Sequence, residues 1–413
     1  MVTWIFRLLA VGGLALLAAC GSLERPQGPL RIAPDQILRV QDPRIASNDS
    51  EALQVLSDDF SRRVASERPP QLLALSGGGA NGAYGAGVIV GWTQRGDRPQ
   101  FDVVTGISTG ALAAPFAFLG PDWDDELEAA FTDGQASTLL GRDSLAIFVG
   151  PSLFSSSALR NLIDSHVTTE LLAAIAAEHA RGRTLLVVTT NLDTQETIIW
   201  NMGVLASQGD VALPLFRDVL LASASIPGVF PPVLIPGLTD GGEVVLEMHV
   251  DGGVNVPFLA VPEQLLLWTA PPSRRGRGGQ IFVILNGQAG VNMGVTPGHL
   301  PDILARAYDS MSRASARQTL AVTGAFAARN GLRLSATAIP DNANVSSLRF
   351  DQATMTALFT LGRDRAISGQ AWMPVVVSDH FDPLAPNLVP ESEIPEDLRL
   401  PAASATPGTG DAG

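Results

Sequence analysis

Three short stretches of this chain hold residues whose types and spacing could do chemistry. In Gly106-Ile107-Ser108-Thr109-Gly110 a serine stands between two glycines in the pattern G-x-S-x-G. An apolar run precedes it and an Ala-rich run follows. That context reads as a strand turning sharply into a helix, with small neighbours that let the turn tighten and present the serine hydroxyl as a nucleophile. An activated serine needs a base within hydrogen-bond reach. The second stretch is Ser76-Gly77-Gly78-Gly79-Ala80-Asn81-Gly82, three consecutive glycines between a strand and a helix. Glycines let successive backbone N–H groups converge on an anion. The anion could be a phosphate or the oxyanion of an acyl-transfer step. The third is Asp251-Gly252-Gly253, an acid ending a strand. Taken alone, an Asp-Gly pair is an ordinary turn.

The phosphate reading is constrained by what the chain lacks. All 27 basic residues are Arg, so the lysine of a Walker A loop is missing. The glycines do fit G-x-G-x-x-G, but no acid follows the next strand where a dinucleotide site would need one.

The elements that must position these residues are legible as patterns. Leu72–Leu75, Phe101–Thr105, Leu185–Thr189 and Ile281–Leu285 are short continuous apolar runs, which suits strands buried on both faces of a parallel sheet. Val244–Val250 alternates and predicts a half-exposed strand, with His249 on a surface position. Helical stretches are expected at 51–64, 80–95, 110–119, 157–180, 301–329 and 352–368. Strand–helix alternation implies a layered α/β domain. Trp92, Trp268 and Trp372 sit in apolar contexts and read as core or rim.

Composition excludes several classes. Of 413 residues, 46% are hydrophobic and 16% charged, which is the reverse of a disordered chain. The formal net charge of -14 argues against nucleic-acid partners, because phosphate contacts need clustered positive charge. The cluster Arg274, Arg275 and Arg277 reads as a solvated loop. A single Cys rules out an intrachain disulfide or a Cys-based zinc site, and the five His show no tight ligand pair. No metal or cofactor is expected.

The N-terminus reads as an address. One Arg precedes an apolar run that is short of the roughly 20 residues a membrane span needs. The run ends Leu17-Ala18-Ala19-Cys20-Gly21. A lone Cys there resembles the lipobox of bacterial lipoproteins, in which the Cys is acylated after cleavage. The expectation is a chain anchored in the bacterial envelope, with Gly21 favouring the outer membrane. The expected organisation is a signal peptide at 1–19, a tether at 20–70, one domain at 71–380 and a disordered Pro/Ala/Gly-rich tail at 381–413.

In combination and in this order, the glycine run, the G-x-S-x-G and the Asp-Gly-Gly resemble the patatin-like phospholipase family. Ala222-Ser223-Ala224-Ser225-Ile226-Pro227 through Pro232 and Thr190–Thr194 are also similar to family segments. The resemblance spans 71–369. It implies a three-layer fold with a mostly parallel sheet, and a lipid acyl hydrolase that works through a Ser–Asp dyad without a catalytic His. Residue by residue, it implies Ser108 as nucleophile in an elbow framed by Gly106 and Gly110. Asp251 is then the base, and Gly77, Gly78 and Gly79 are oxyanion donors. Asn81 stands where many members carry Arg or Lys, which moves the expected substrate toward a neutral ester or lysolipid. Two other readings remain open. One is an α/β-hydrolase esterase with a Ser–Asp–His triad completed by His299 or His380. The other is a lipid-binding envelope protein without catalysis.

Overall fold

The computed structural model describes residues 43–46, 49–64, 68–139, 152, 154–238, 244–262, 266, 269, 278–290, 295–375 and 387–399. Cys20, Trp268, the Arg274–Arg277 cluster and His380 lie outside the described residues. In chain order the elements begin with β1 (Arg44–Ala46), α1 (Ser50–Val64), β2 (Gln71–Leu75), α2 (Gly82–Arg95), β3 (Val103–Ile107), α3 (Thr109–Leu119) and α4 (Asp124–Thr132). They continue with α5 (Ser157–His166), α6 (Thr169–Ala180), β4 (Thr184–Asn191), β5 (Glu196–Asn201), α7 (Met202–Ala206) and α8 (Leu213–Ser223). The last are β6 (Val233–Leu238), β7 (Val244–Asp251), β8 (Gln280–Leu285), α9 (Leu300–Asn330), β9 (Arg333–Ala338), α10 (Gln352–Ile367) and β10 (Met373–Pro374).

Strands β4, β3, β2, β8 and β9 lie side by side and parallel, forming the middle of one mixed sheet. Antiparallel strands extend it: β5 and β1 beyond β4, and β10 beyond β9. Helices cover both faces. Leu73 and Leu75 enter a core built with α2, α3 and α10, while Leu72 and Ala74 enter a second core with Phe326 and Ala327 of α9. Burial on both sides is why these strands read as unbroken apolar runs.

One feature of the register decides where the chemistry sits. β3 accompanies β4 as far as Ile107, opposite Val188. From the next residue of β4 that edge belongs to β7, running the other way, with Thr189 opposite Asp251.

Several expectations are corrected. β3 spans 103–107 rather than 101–105. The helix expected over 157–180 is two helices, because Thr168 adopts an extended backbone and caps α6 by accepting the Leu171 N–H at 3.3 Å. His249 is fully buried rather than on a surface. Its ring bonds Thr189 Oγ1 at 2.9 Å and Glu247 Oε2 at 3.1 Å. Glu247 in turn pairs with Arg44 of β1 at 2.7 Å. Alternation along β7 cannot reveal this, because the cover comes from a distant strand. Residues 387–399, expected to be disordered tail, pack on the domain. Ile394 and Leu398 are buried, and the Leu398 carbonyl accepts the Asn344 N–H at 2.7 Å. Two apolar residues at four-residue spacing anchor an otherwise Pro-rich segment.

Helix α2 is buried all round from Gly82 to Trp92, as an apolar helix at the centre of a core must be. Its contact with α10 is backbone to backbone. A Cβ on Gly87 would lie 2.0 Å from the Phe359 carbonyl oxygen, and one on Gly91 would lie 2.3 Å from that of Arg363. Gly87→Val should therefore destabilise the protein by about 1–3 kcal/mol or more through overpacking. Chemical denaturation checks this, and an unchanged midpoint would remove the close helix contact from the supports of the fold.

Candidate active site

Ser108 occupies the turn between β3 and α3 with φ 56° and ψ -127°. A positive φ at a non-glycine residue costs on the order of 1–3 kcal/mol and persists only where the surroundings enforce it. They do so here from three sides. The Ser108 N–H donates to the Ser223 hydroxyl at 3.0 Å, which itself donates to the Val188 carbonyl at 2.7 Å. The Ser108 carbonyl accepts from the Ala111 N–H at 2.8 Å. Gly110 is pressed against β2, where a Cβ would stand 2.5 Å from the Leu75 carbonyl oxygen. A Cβ on Gly106 would in turn lie 2.5 Å from the Gly110 carbonyl oxygen. The two glycines framing Ser108 are thus required by close packing.

Asp251, at the end of β7, is brought to Ser108 by the shared edge of β4. Its carboxylate accepts the Gly253 N–H at 2.7 Å, and the Ser108 side chain lies close enough to favour its ionised form. Its own N–H donates to the Ser225 carbonyl at 3.0 Å. Burial raises this carboxyl from 3.8 to about 6, against the opposing influence of the Ser108 side chain and the Gly253 N–H. It is ionised at neutral pH, yet it is a stronger base than a solvated aspartate.

The glycine run closes the third side. Gly77 touches Ser108, since a Cβ there would be 3.2 Å from Ser108 Cβ. A Cβ on Gly78 would collide with the Asn286 carbonyl oxygen at 2.0 Å. Gly79 has φ 55°, and a Cβ there would meet the Ser347 carbonyl oxygen at 2.1 Å. Of the three N–H groups, that of Gly77 is taken by the Pro257 carbonyl at 3.3 Å. Those of Gly78 and Gly79 are paired with no backbone acceptor among the described residues.

Residues 73–262 match the family model for patatin-like phospholipases. The chain carries a patatin-like phospholipase domain. No curated protein sequence matches it. Among solved structures, VipD from Legionella pneumophila is similar at 15% identity and a TM-score of 0.37, over 76% of this chain and 69% of that one. Human GIVD cytosolic phospholipase A2 is similar at 13% identity and a TM-score of 0.28, over 57% of this chain. This chain spans 46% of that protein's length.

Beside Ser108 the protein holds a cavity of about 520 Å³, partly open to solvent. Gly79 and Thr109 form its wall nearest the site, and Leu112, Phe116, Phe131 and Phe350 are among the apolar residues behind them. A second cleft of about 420 Å³ lies under α1 and contains none of the residues discussed so far as chemical. His166 also lines the cavity beside Ser108, and the other described histidines are elsewhere. His249 is held by Thr189 and Glu247, His179 Nδ1 bonds the Arg183 carbonyl at 3.1 Å, and His299 is exposed at the head of α9. Asn81 is buried in the 3-10 turn after the glycines.

Sequence reasoning overlooked three residues of this site. Ser223 and Ser225 lie in a segment noted only for its resemblance. Asn286 was not singled out, although it directly follows the apolar run of β8. Its N–H donates to Ser76 Oγ and its side-chain amide to the Ser76 carbonyl, both at 2.8 Å. Its Oδ1 accepts the Gly85 N–H at 3.1 Å, so one side chain ties the strand before the glycines to the helix after them.

A carboxyl raised in the folded state favours folding in its protonated form. Its contribution is fully present below about 3.8 and is lost as pH rises through about 6. At neutral pH the shift amounts to about 3 kcal/mol of destabilisation. Asp251→Asn should therefore be more stable than the parent at pH 8, by up to about 3 kcal/mol, with the gap narrowing toward pH 5. Calorimetry at both pH values checks this, and a variant less stable at pH 8 would contradict the buried-charge account.

Proposed function

We propose that the protein is a serine acyl hydrolase that cleaves acyl esters of membrane lipids through a Ser108–Asp251 dyad. The observation that carries the reading is Ser108 held on a strained turn beside the buried Asp251 carboxylate and next to open glycine N–H groups. Ser108 Oγ attacks the ester carbonyl carbon as its proton passes to Asp251, whose raised pKa improves it as a base. The carbonyl electron pair moves to oxygen, where the N–H groups of Gly78 and Gly79 receive it. One such donor is typically worth about 2.7–4 kcal/mol. The intermediate collapses with cleavage of the ester C–O bond, and the leaving alkoxide takes the proton from Asp251. Water then attacks the acyl-serine, losing its proton to Asp251. Collapse of this second intermediate releases the fatty acid and returns the proton to Ser108.

The cavity that begins at Gly79 and Thr109 suits the acyl chain, because its lining is almost entirely apolar. Buried Asn81 offers no cation to a headgroup phosphate, which favours neutral esters or lysolipids. The triad alternative is disfavoured by the nearness of the Asp251 carboxylate to Ser108 and by the exposed position of His299.

Covalent labelling with a fluorophosphonate followed by peptide mapping tests the nucleophile. The expected result is label on Ser108, no label in Ser108→Ala, and loss of short-chain ester turnover by several orders of magnitude in that variant with its circular dichroism unchanged. Turnover of Ser108→Ala at the parent rate would end the proposal. The parent rate should fall about tenfold per pH unit below about 6, as Asp251 takes up its proton.

We also propose that Cys20 is acylated and anchors the protein in a bacterial envelope membrane, with the domain facing lipid. Mass spectrometry of the mature N-terminus should find a lipid-modified Cys20, and an unmodified start beyond it would exclude the anchor.

A further inference from the structure

The cavity beside Ser108 has one wall residue that does not suit a plain hydrocarbon guest. His166, the last residue of α5, lines it among Phe131, Leu139, Leu162, Ile163 and Val167. Its Nε2 is buried and has no hydrogen-bond partner among the described residues. The nearest candidate, Asp133 Oδ2, is 4.0 Å away, outside hydrogen-bond range, and already accepts from Gln135 Nε2 at 2.8 Å. Burial lowers the His166 pKa below its ordinary value, against the charges of Asp133 and Glu126, so the ring is neutral at pH 7. A neutral imidazole nitrogen can accept a hydrogen bond or, in the other tautomer, donate one. Leaving it unpaired in an apolar wall costs stability, and leucine or phenylalanine would fill the position without that cost.

We propose that this cavity is an acyl-chain subsite in which His166 pairs with a hydroxyl group on the chain, so that esters of hydroxylated fatty acids are the preferred substrates. The inference rests on the acyl-hydrolase reading above and adds to it the class of acyl group. Chemistry of both partners supports it. A hydroxyl satisfies His166 in either tautomer, while the rest of the chain meets the apolar wall. A site with a buried polar group discriminates against the analogue that leaves it unpaired.

The test compares kcat/KM for the p-nitrophenyl ester of decanoic acid with those of its monohydroxylated positional isomers. At least one isomer should exceed the parent ester about tenfold, the scale of one hydrogen bond made in a buried site. His166→Leu should abolish that ratio, and His166→Gln, which keeps a hydrogen-bonding group, should retain most of it. If the leucine variant does not fold, His166→Phe carries the same comparison. A wild-type ratio of one or less for every isomer, or a preference that survives the apolar variants, overturns the subsite. Ser108-dependent turnover with no preference defeats this inference alone. Absence of Ser108-dependent turnover of any ester defeats the acyl-hydrolase reading, and the subsite falls with it.

Discussion

The site depends on a change of partner along one edge of β4. Up to Val188 that edge is occupied by β3, arriving parallel; from Thr189 it is occupied by β7, arriving antiparallel. Two strand ends therefore meet head to head, one leading into Ser108 and the other finishing at Asp251. No long loop has to deliver either side chain, so their separation is set by backbone hydrogen bonding rather than by flexible connections. The junction is tight. A Cβ on Gly252 would lie 2.6 Å from the Val188 carbonyl oxygen, the same oxygen that accepts the Ser223 hydroxyl. Ser223 thereby links the Ser108 N–H to the point where the partner strands change.

Unfavourable energies are concentrated around this junction. Ser108 holds a positive φ, and Asp251 holds a buried negative charge. Each is tolerated because the surrounding frame is dense: α2 packs backbone to backbone on α10, and Asn286 ties the glycine turn into place. Near Asp251, a largely buried polar network runs from Arg44 through Glu247 and His249 to Thr189 and Trp200. It joins β1, β5, β4 and β7, so the short strand following the N-terminal segment is fastened to the strand that carries Asp251. Local departures from good packing and good solvation gather where chemistry is proposed, and the rest of the fold bears their cost.

The same arrangement separates polar from apolar duties. The glycine turn and the Asp251 carboxylate flank Ser108, and the apolar cavity begins at the adjoining Gly79 and Thr109.

By itself the sequence determined the local parts. Continuous apolar runs marked the central parallel strands, and the glycine patterns marked the two tight turns, because both are imposed by short-range sterics and by burial on two faces. Ser108 and the glycines around it were legible because turn geometry demands particular residues at particular spacings, whereas Asp251 stood out only through the order of the three motifs and the family resemblance they carry. What only the tertiary structure decided involves partners far apart in sequence. The burial of His249 depends on β1 and β5, the role of Ser223 depends on Val188, and the engagement of Gly77 by Pro257 leaves Gly78 and Gly79 as the open donors. The raised pKa of Asp251 belongs to the same class. An aspartate before two glycines looks like an exposed turn until distant elements close over it and take the water away.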